Sequence, residues 1–157
     1  MSQLSLYVGR TVDLLAFQGQ KPKGDVLLSQ VLVQENEGGE ICTGVQKLTQ
    51  RWLIEFFTAT GSLLYLPARG CPFMVQLLSG QLHTTLDVQQ AFYLSLVQIK
   101  TNLQSEETVS TPADESYGSV TLNEVLVTGD TVQLTVGISS EAGDTAVKIL
   151  PINVRTD

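Results

Sequence analysis

Cys71 and His83 are the pair in this chain whose types could support nucleophilic catalysis, because an imidazole beside a thiol draws off its proton and leaves an attacking thiolate. His83 is the single histidine. It sits in QLHTT, which carries no carboxylate to orient the ring, and neither residue lies in a recognised nucleophile motif. The better reading is a thiol packed in a turn and an imidazole facing solvent. Glycoside hydrolysis would need two carboxylates, one kept protonated in an apolar pocket. The acids here gather in polar sequence at Glu106, Glu107, Asp114 and Glu115, or stand at Glu55 on what reads as an exposed helix face, so solvated groups are expected. One histidine and two separated cysteines cannot make a zinc site of plausible spacing, and no calcium-loop or glycine-rich phosphate-binding pattern occurs. No catalytic residue, cofactor or metal is expected. What remains is the profile of a binding or assembly module.

The elements that position these residues centre on residues 39–73. Thr43 followed by Gln46 fits a capping box, which predicts a helix beginning at Gly44. Val45, Leu48, Trp52 and Phe56, with Leu53 and Phe57 one step round, recur at helical spacing and make one broad apolar face. Lys47, Gln50, Arg51 and Glu55 take the remaining positions, and Gly61 is the expected stop. Residues 62–73 contain two prolines and Gly70, so they form an ordered loop. A short helix is expected from Pro72 to Leu78, with Gly80 past its end. A third, longer helix carries Val88, Phe92, Leu96, Ile99 and Leu103 on its apolar face, with small Ala91 and Ser95 beside them. The first and third helices should pack together around Trp52, Phe56, Phe92 and Leu96.

Residues 4–8, 11–17 and 25–34 read as short strands, and residues 35–40 as a polar loop. Residues 104–118 are polar and acidic with Pro112, an expected loop or exposed arm. Beyond them the period becomes two. Val132, Leu134, Val136 and Ile138 alternate with polar or small residues; a strand carrying Val120, Leu122, Glu124 and Leu126 precedes them, and residues 147–154 follow. This is a three-stranded meander whose last strand, holding Pro151, belongs at an edge or carries a bulge. The fold class is α+β: packed helices with a C-terminal antiparallel β-meander and an N-terminal β-rich extension. The division is residues 1–40 and residues 41–157.

A length of 157 residues is enough to bury a sizeable core without staples. Two cysteines do not make a disulfide framework, and reduced thiols are the default. The net charge of −7, without a basic cluster, argues against nucleic acid and anionic membrane as partners. No signal peptide and no membrane-length apolar run is read from the sequence.

The helix from Gln46 to Thr58, Gly61 and the segment Pro67, Gly70 and Cys71, followed by a long helix and a meander, resemble the baseplate wedge family of contractile phage tails, also labelled lysozyme-like. The likeness spans residues 41–154. It implies a structural virion protein of the tail baseplate, made in the host cytoplasm and present in multiple copies. Its implied partners are other wedge and hub proteins, with the first sheath ring adding strands to a sheet edge by main-chain hydrogen bonds. Candidate structural or assembly contacts are Pro67, Arg69 and Gly70 in the loop and Lys148, Ile149 and Pro151 in the last strand. Arg69 is expected to hold backbone carbonyls or a neighbouring subunit's carboxylate. Many family members carry a Glu-Pro-Arg tripeptide after the long helix; here the stretch reads SEETVSTPADES. A tail or injection-machine adaptor without sheath contact is the alternative, and a cell-wall hydrolase a remote third.

Overall fold

The computed structural model describes Arg10, residues 13–14 and residues 41–153. The strands expected at residues 4–8 and 25–34 lie outside the described residues. Within 11–17, β1 (Asp13–Leu14) pairs antiparallel with β2 (Ile41–Cys42). Three helices follow, α1 (Gly44–Phe57), α2 (Pro72–Leu78) and α3 (Thr85–Glu106), and then β3 (Tyr117–Thr128), β4 (Thr131–Ser140) and β5 (Thr145–Asn153). The fold is α+β. The sheet is antiparallel in the order β3-β4-β5, with α1 against β4 and β5 and α3 against β3.

The helix starts obey capping chemistry at a place other than the expected one. Thr43 stands at the N-cap of α1 but makes no side-chain cap bond, so the Thr43–Gln46 box does not form. The carboxylate of Glu115 takes its place, accepting from Gly44 N–H at 3.4 Å and from Lys47 Nζ at 2.9 Å. A buried negative charge there offsets the positive end of the helix dipole. The reciprocal box forms on α3, where Thr84 Oγ1 accepts Asp87 N–H at 3.2 Å and Asp87 Oδ2 accepts Thr84 N–H at 2.9 Å.

The core is aromatic at its centre. Trp52 stacks on Phe56 at 4.9 Å between centroids, Phe73 meets Phe56 at 4.7 Å, and Phe92 meets Phe56 at 5.8 Å. Leu96, expected among them, is half-buried at the margin, and Phe73 holds the central position. The cause is polar. Buried Ser95 Oγ accepts Phe73 N–H at 2.9 Å and donates to Ala91 O at 2.8 Å, docking the start of α2 on α3 and turning that face of α3 inward.

Val132, Leu134, Val136 and Ile138 of β4 are all buried against the helices, as their alternation requires. On β3 the alternation expected through Glu124 and Leu126 breaks. A register shift between Leu122 and Glu124 changes the inward row to Val120, Leu122, Val125 and Val127 and leaves Leu126 exposed. The β3–β4 connection is a tight turn at Gly129 and Asp130, where Gly129 takes φ +56°.

Candidate functional site

Glu55 organises the loop between α1 and α2. Its side chain is 2% exposed, so the expectation of a solvated residue on an outer helix face is wrong. Oε2 accepts the backbone N–H of Gly70 at 2.9 Å and Asn102 Nδ2 at 2.8 Å, while Oε1 meets the guanidinium of Arg69. Helical spacing placed Glu55 opposite the aromatic stripe; what it could not convey is that residues 68–71 fold back over that side of α1. Asn102 adds bonds to Ala68 O at 3.2 Å and Gly70 O at 3.4 Å.

Each of the three loop candidates has a definite place. Pro67 is exposed and its carbonyl accepts Gly61 N–H at 3.1 Å, closing the loop. Gly70 is buried at φ +84°, and a Cβ there would lie 2.2 Å from Thr58 O, so both backbone conformation and close approach demand glycine. Arg69 bridges two carboxylates of its own chain, Glu55 and Glu106. Within the chain it therefore holds side-chain carboxylates, where backbone carbonyls were one expectation.

The acids read as a solvated loop are mostly engaged. Glu106, the last residue of α3, is bound by Arg51 at 2.9 Å as well as by Arg69. Burial raises its pKa, but the hydrogen bonds and charges of the two arginines outweigh that and hold it below the ordinary value. Glu107 accepts Tyr117 N–H at 2.7 Å, buried Glu115 pairs with Lys47, and Asp114 pairs with Arg10. Lys47, Arg51, Glu106 and Glu115, with Thr108, Ser110 and Thr111, line a cleft of about 420 Å³. Its cations and carboxylates stand in pairs, which suits polar contact with a partner better than proton transfer.

Cys71 and His83 do not form a catalytic pair. The Cys71 thiol is fully buried, donates to Phe56 O at 3.2 Å, and is pushed up in pKa by burial, which keeps it protonated. His83 is exposed beside a small cavity lined by Gly80, Leu82, Val127 and Asp130. Cys42 and Cys71 are both free thiols. Among the described residues no cluster of side chains is suited to a metal ion, and no helix is long and apolar enough to cross a membrane.

The other three candidates lie on β5, whose one neighbour among the described strands is β4. Its register runs from Thr131 opposite Asn153 to Ser139 opposite Thr145. One step further, Ser140 N–H donates to Asp144 O at 2.9 Å, which marks a bonded pair. Antiparallel pairs alternate between bonded and non-bonded, so Val136 with Lys148 is bonded and Thr135 with Ile149 is not. The N–H of Lys148 therefore points to β4, and those of Thr145, Val147 and Ile149 point away from it. Pro151, which has none, falls where none is needed. Val147 and Ile149 also expose their side chains on the outer face of the sheet. In the sequence Pro151 indicated an edge or a bulge but not which amides of the strand faced outward.

Scans against protein-family models and against curated proteins gave no match.

Proposed function

We propose that this chain is a structural subunit of a contractile-tail baseplate wedge that joins its neighbours through contacts made by strand addition. The observation that carries the reading is the edge of β5 that no described strand covers, with amides at Thr145, Val147 and Ile149 directed away from β4. An unpaired edge is a template for another chain's strand, and main-chain bonding needs no special side chains. The paired charges of the cleft and the protonated Cys71 thiol are consistent with a role that involves no bond-making chemistry. The resemblance in element order to the wedge family supplies the setting, with wedge and hub proteins and the first sheath ring as partners.

Two proline substitutions test the reading in parallel. Ile149→Pro removes an outward amide and should leave a folded subunit that no longer supports sheathed tails. Lys148→Pro removes a bond to β4 and should lower the melting temperature of the free subunit. Wild-type recovery of sheathed tails with folded Ile149→Pro would refute this edge as the docking site. A mass-spectrometric inventory of purified tail particles lacking this chain would refute the baseplate setting.

A further inference from the structure

Lys148 stands on the inner face of β5 together with Leu150 and Ile152, both of which are buried. It is half-buried and, among the described residues, meets no carboxylate. The other described cations are settled. Arg10, Lys47, Arg51 and Arg69 each hold a carboxylate, and Lys100 is exposed to water on α3. A lysine that points inward at a sheet edge keeps stray strands away, because a strand laid beside it must bury part of that charge. A carboxylate on the incoming strand removes the obstacle and turns the same lysine into a means of selection.

The register of β5 says where such a carboxylate belongs. In an antiparallel strand added at this edge, the residues opposite Val147 and Ile149 make the bonded pairs, and the residue opposite Lys148 makes the non-bonded pair, in which side chains come closest. That residue shares the inner face with Lys148, while its two neighbours lie on the outer face beside the exposed Val147 and Ile149. We propose that β5 selects a strand carrying an acidic residue between two apolar ones, that Lys148 reads the acid, and that the strand belongs to a different protein chain. The proposal rests on strand addition at β5 and adds the chemistry of the partner. Of the sixteen acidic residues in the sequence, Asp13, Glu55 and Asp87 are the three flanked by apolar residues on both sides. Asp13, in β1, accepts from Gln50; Glu55 is buried with Gly70, Asn102 and Arg69; Asp87 closes the capping box of α3. The residues beyond the described ones hold no further such triplet, and residues 145–153 contain no acid, so neither this chain nor a second copy supplies the strand.

The test titrates the full chain with otherwise identical peptides of about nine residues that carry Val-Glu-Val, Val-Gln-Val or Val-Lys-Val at their centre. Wild type, Lys148→Gln, Lys148→Glu and Ile149→Pro are compared at physiological salt. The preference for the Glu over the Lys peptide should be at least about tenfold greater in wild type than in Lys148→Gln, a ratio in which the net charge of the chain cancels. It should invert in Lys148→Glu. Ile149→Pro, which removes an outward amide, should weaken all three peptides and so place them on this edge. The chain alone should stay monomeric where the Glu peptide binds. Binding lost in Ile149→Pro but with a change of preference below tenfold in Lys148→Gln overturns the proposal and leaves strand addition standing. No binding by any peptide, or binding untouched by Ile149→Pro, refutes strand addition here and the proposal with it. Self-association that the Glu peptide displaces overturns the assignment to a different chain.

Discussion

Glu55 Oε2 accepts the backbone N–H of Gly70 at 2.9 Å, so a carboxylate on α1 fixes a turn that begins fifteen residues later in the chain. Both of its oxygens are occupied, by Gly70, Asn102 and Arg69, which is the condition under which a buried carboxylate is tolerated.

Removing the charge at that point should destabilise strongly. Glu55→Gln cannot supply all three acceptor positions and leaves Arg69 with Glu106 alone. The expected loss is about 3 kcal/mol in urea unfolding, within the range for breaking a buried pair by deleting one partner. A loss below about 1 kcal/mol would mean that the contacts of Glu55 are worth no more than those of a surface pair.

Two glycines of the same loop should respond differently to alanine. Gly70→Ala places a Cβ against Thr58 O at φ +84°, so the backbone must shift and the loss should exceed about 3 kcal/mol. Gly61, at φ +83° with nothing near its would-be Cβ, should lose only about 1 kcal/mol. Equal losses would show that conformation alone, without the close approach, decides both sites.

Trp52→Ala should cost about 3–5 kcal/mol through lost burial and a cavity beside Phe56 and Phe92. Trp52→Phe should cost less, because the indole N–H has no acceptor among the described residues and its removal unmakes no bond. Native Trp52 fluorescence should be blue-shifted; emission at the water value would place this face outside the core.

The acid limb of stability follows from Glu106. Its folded pKa lies below the ordinary 4.5, so the folded state binds the proton less tightly than the unfolded chain does. The contribution is fully present above about pH 4.5 and is lost as pH falls through the depressed value. Asp87, lowered by its bonds with Thr84, acts in the same direction. The stability gap between wild type and Glu106→Gln should therefore narrow as pH drops from about 6 to about 3. A gap constant across that interval would remove Glu106 from the acid transition.

Much of the fold was legible because periodicity reports burial directly. The 3.6-residue recurrence around Trp52, the period of two along β4, and proline and glycine at the ends of α2 each gave an element close to its observed limits. The polar half was not legible. Glu55, Gln50 and Glu115 sit at positions that read as solvent-facing, yet they are buried by segments distant in sequence, with Gln50 bound to Asp13 at 2.9 Å. Burial of a charged group is decided by the partner that arrives, and no spacing rule encodes that arrival. The capping box shows the same limit: the T-x-x-Q pattern at Thr43 lost its cap to Glu115, while the equivalent T-x-x-D pattern at Thr84 had no such rival. On β3 a single register shift reversed the faces of Leu126 and Val127, a change that strict alternation cannot foresee.

Pro151 gives the β5 edge of the sheet, uncovered by any described strand, a built-in stop. Donors face outward at Thr145, Val147 and Ile149, and the next alternate position has none, so an incoming strand finds roughly five residues of full ladder before the pattern fails. That length is enough to fix the register of one visiting segment and too little to template a long one. The same residue that shortens the ladder would thus limit indiscriminate edge-to-edge growth along the side of β5 that no described strand covers.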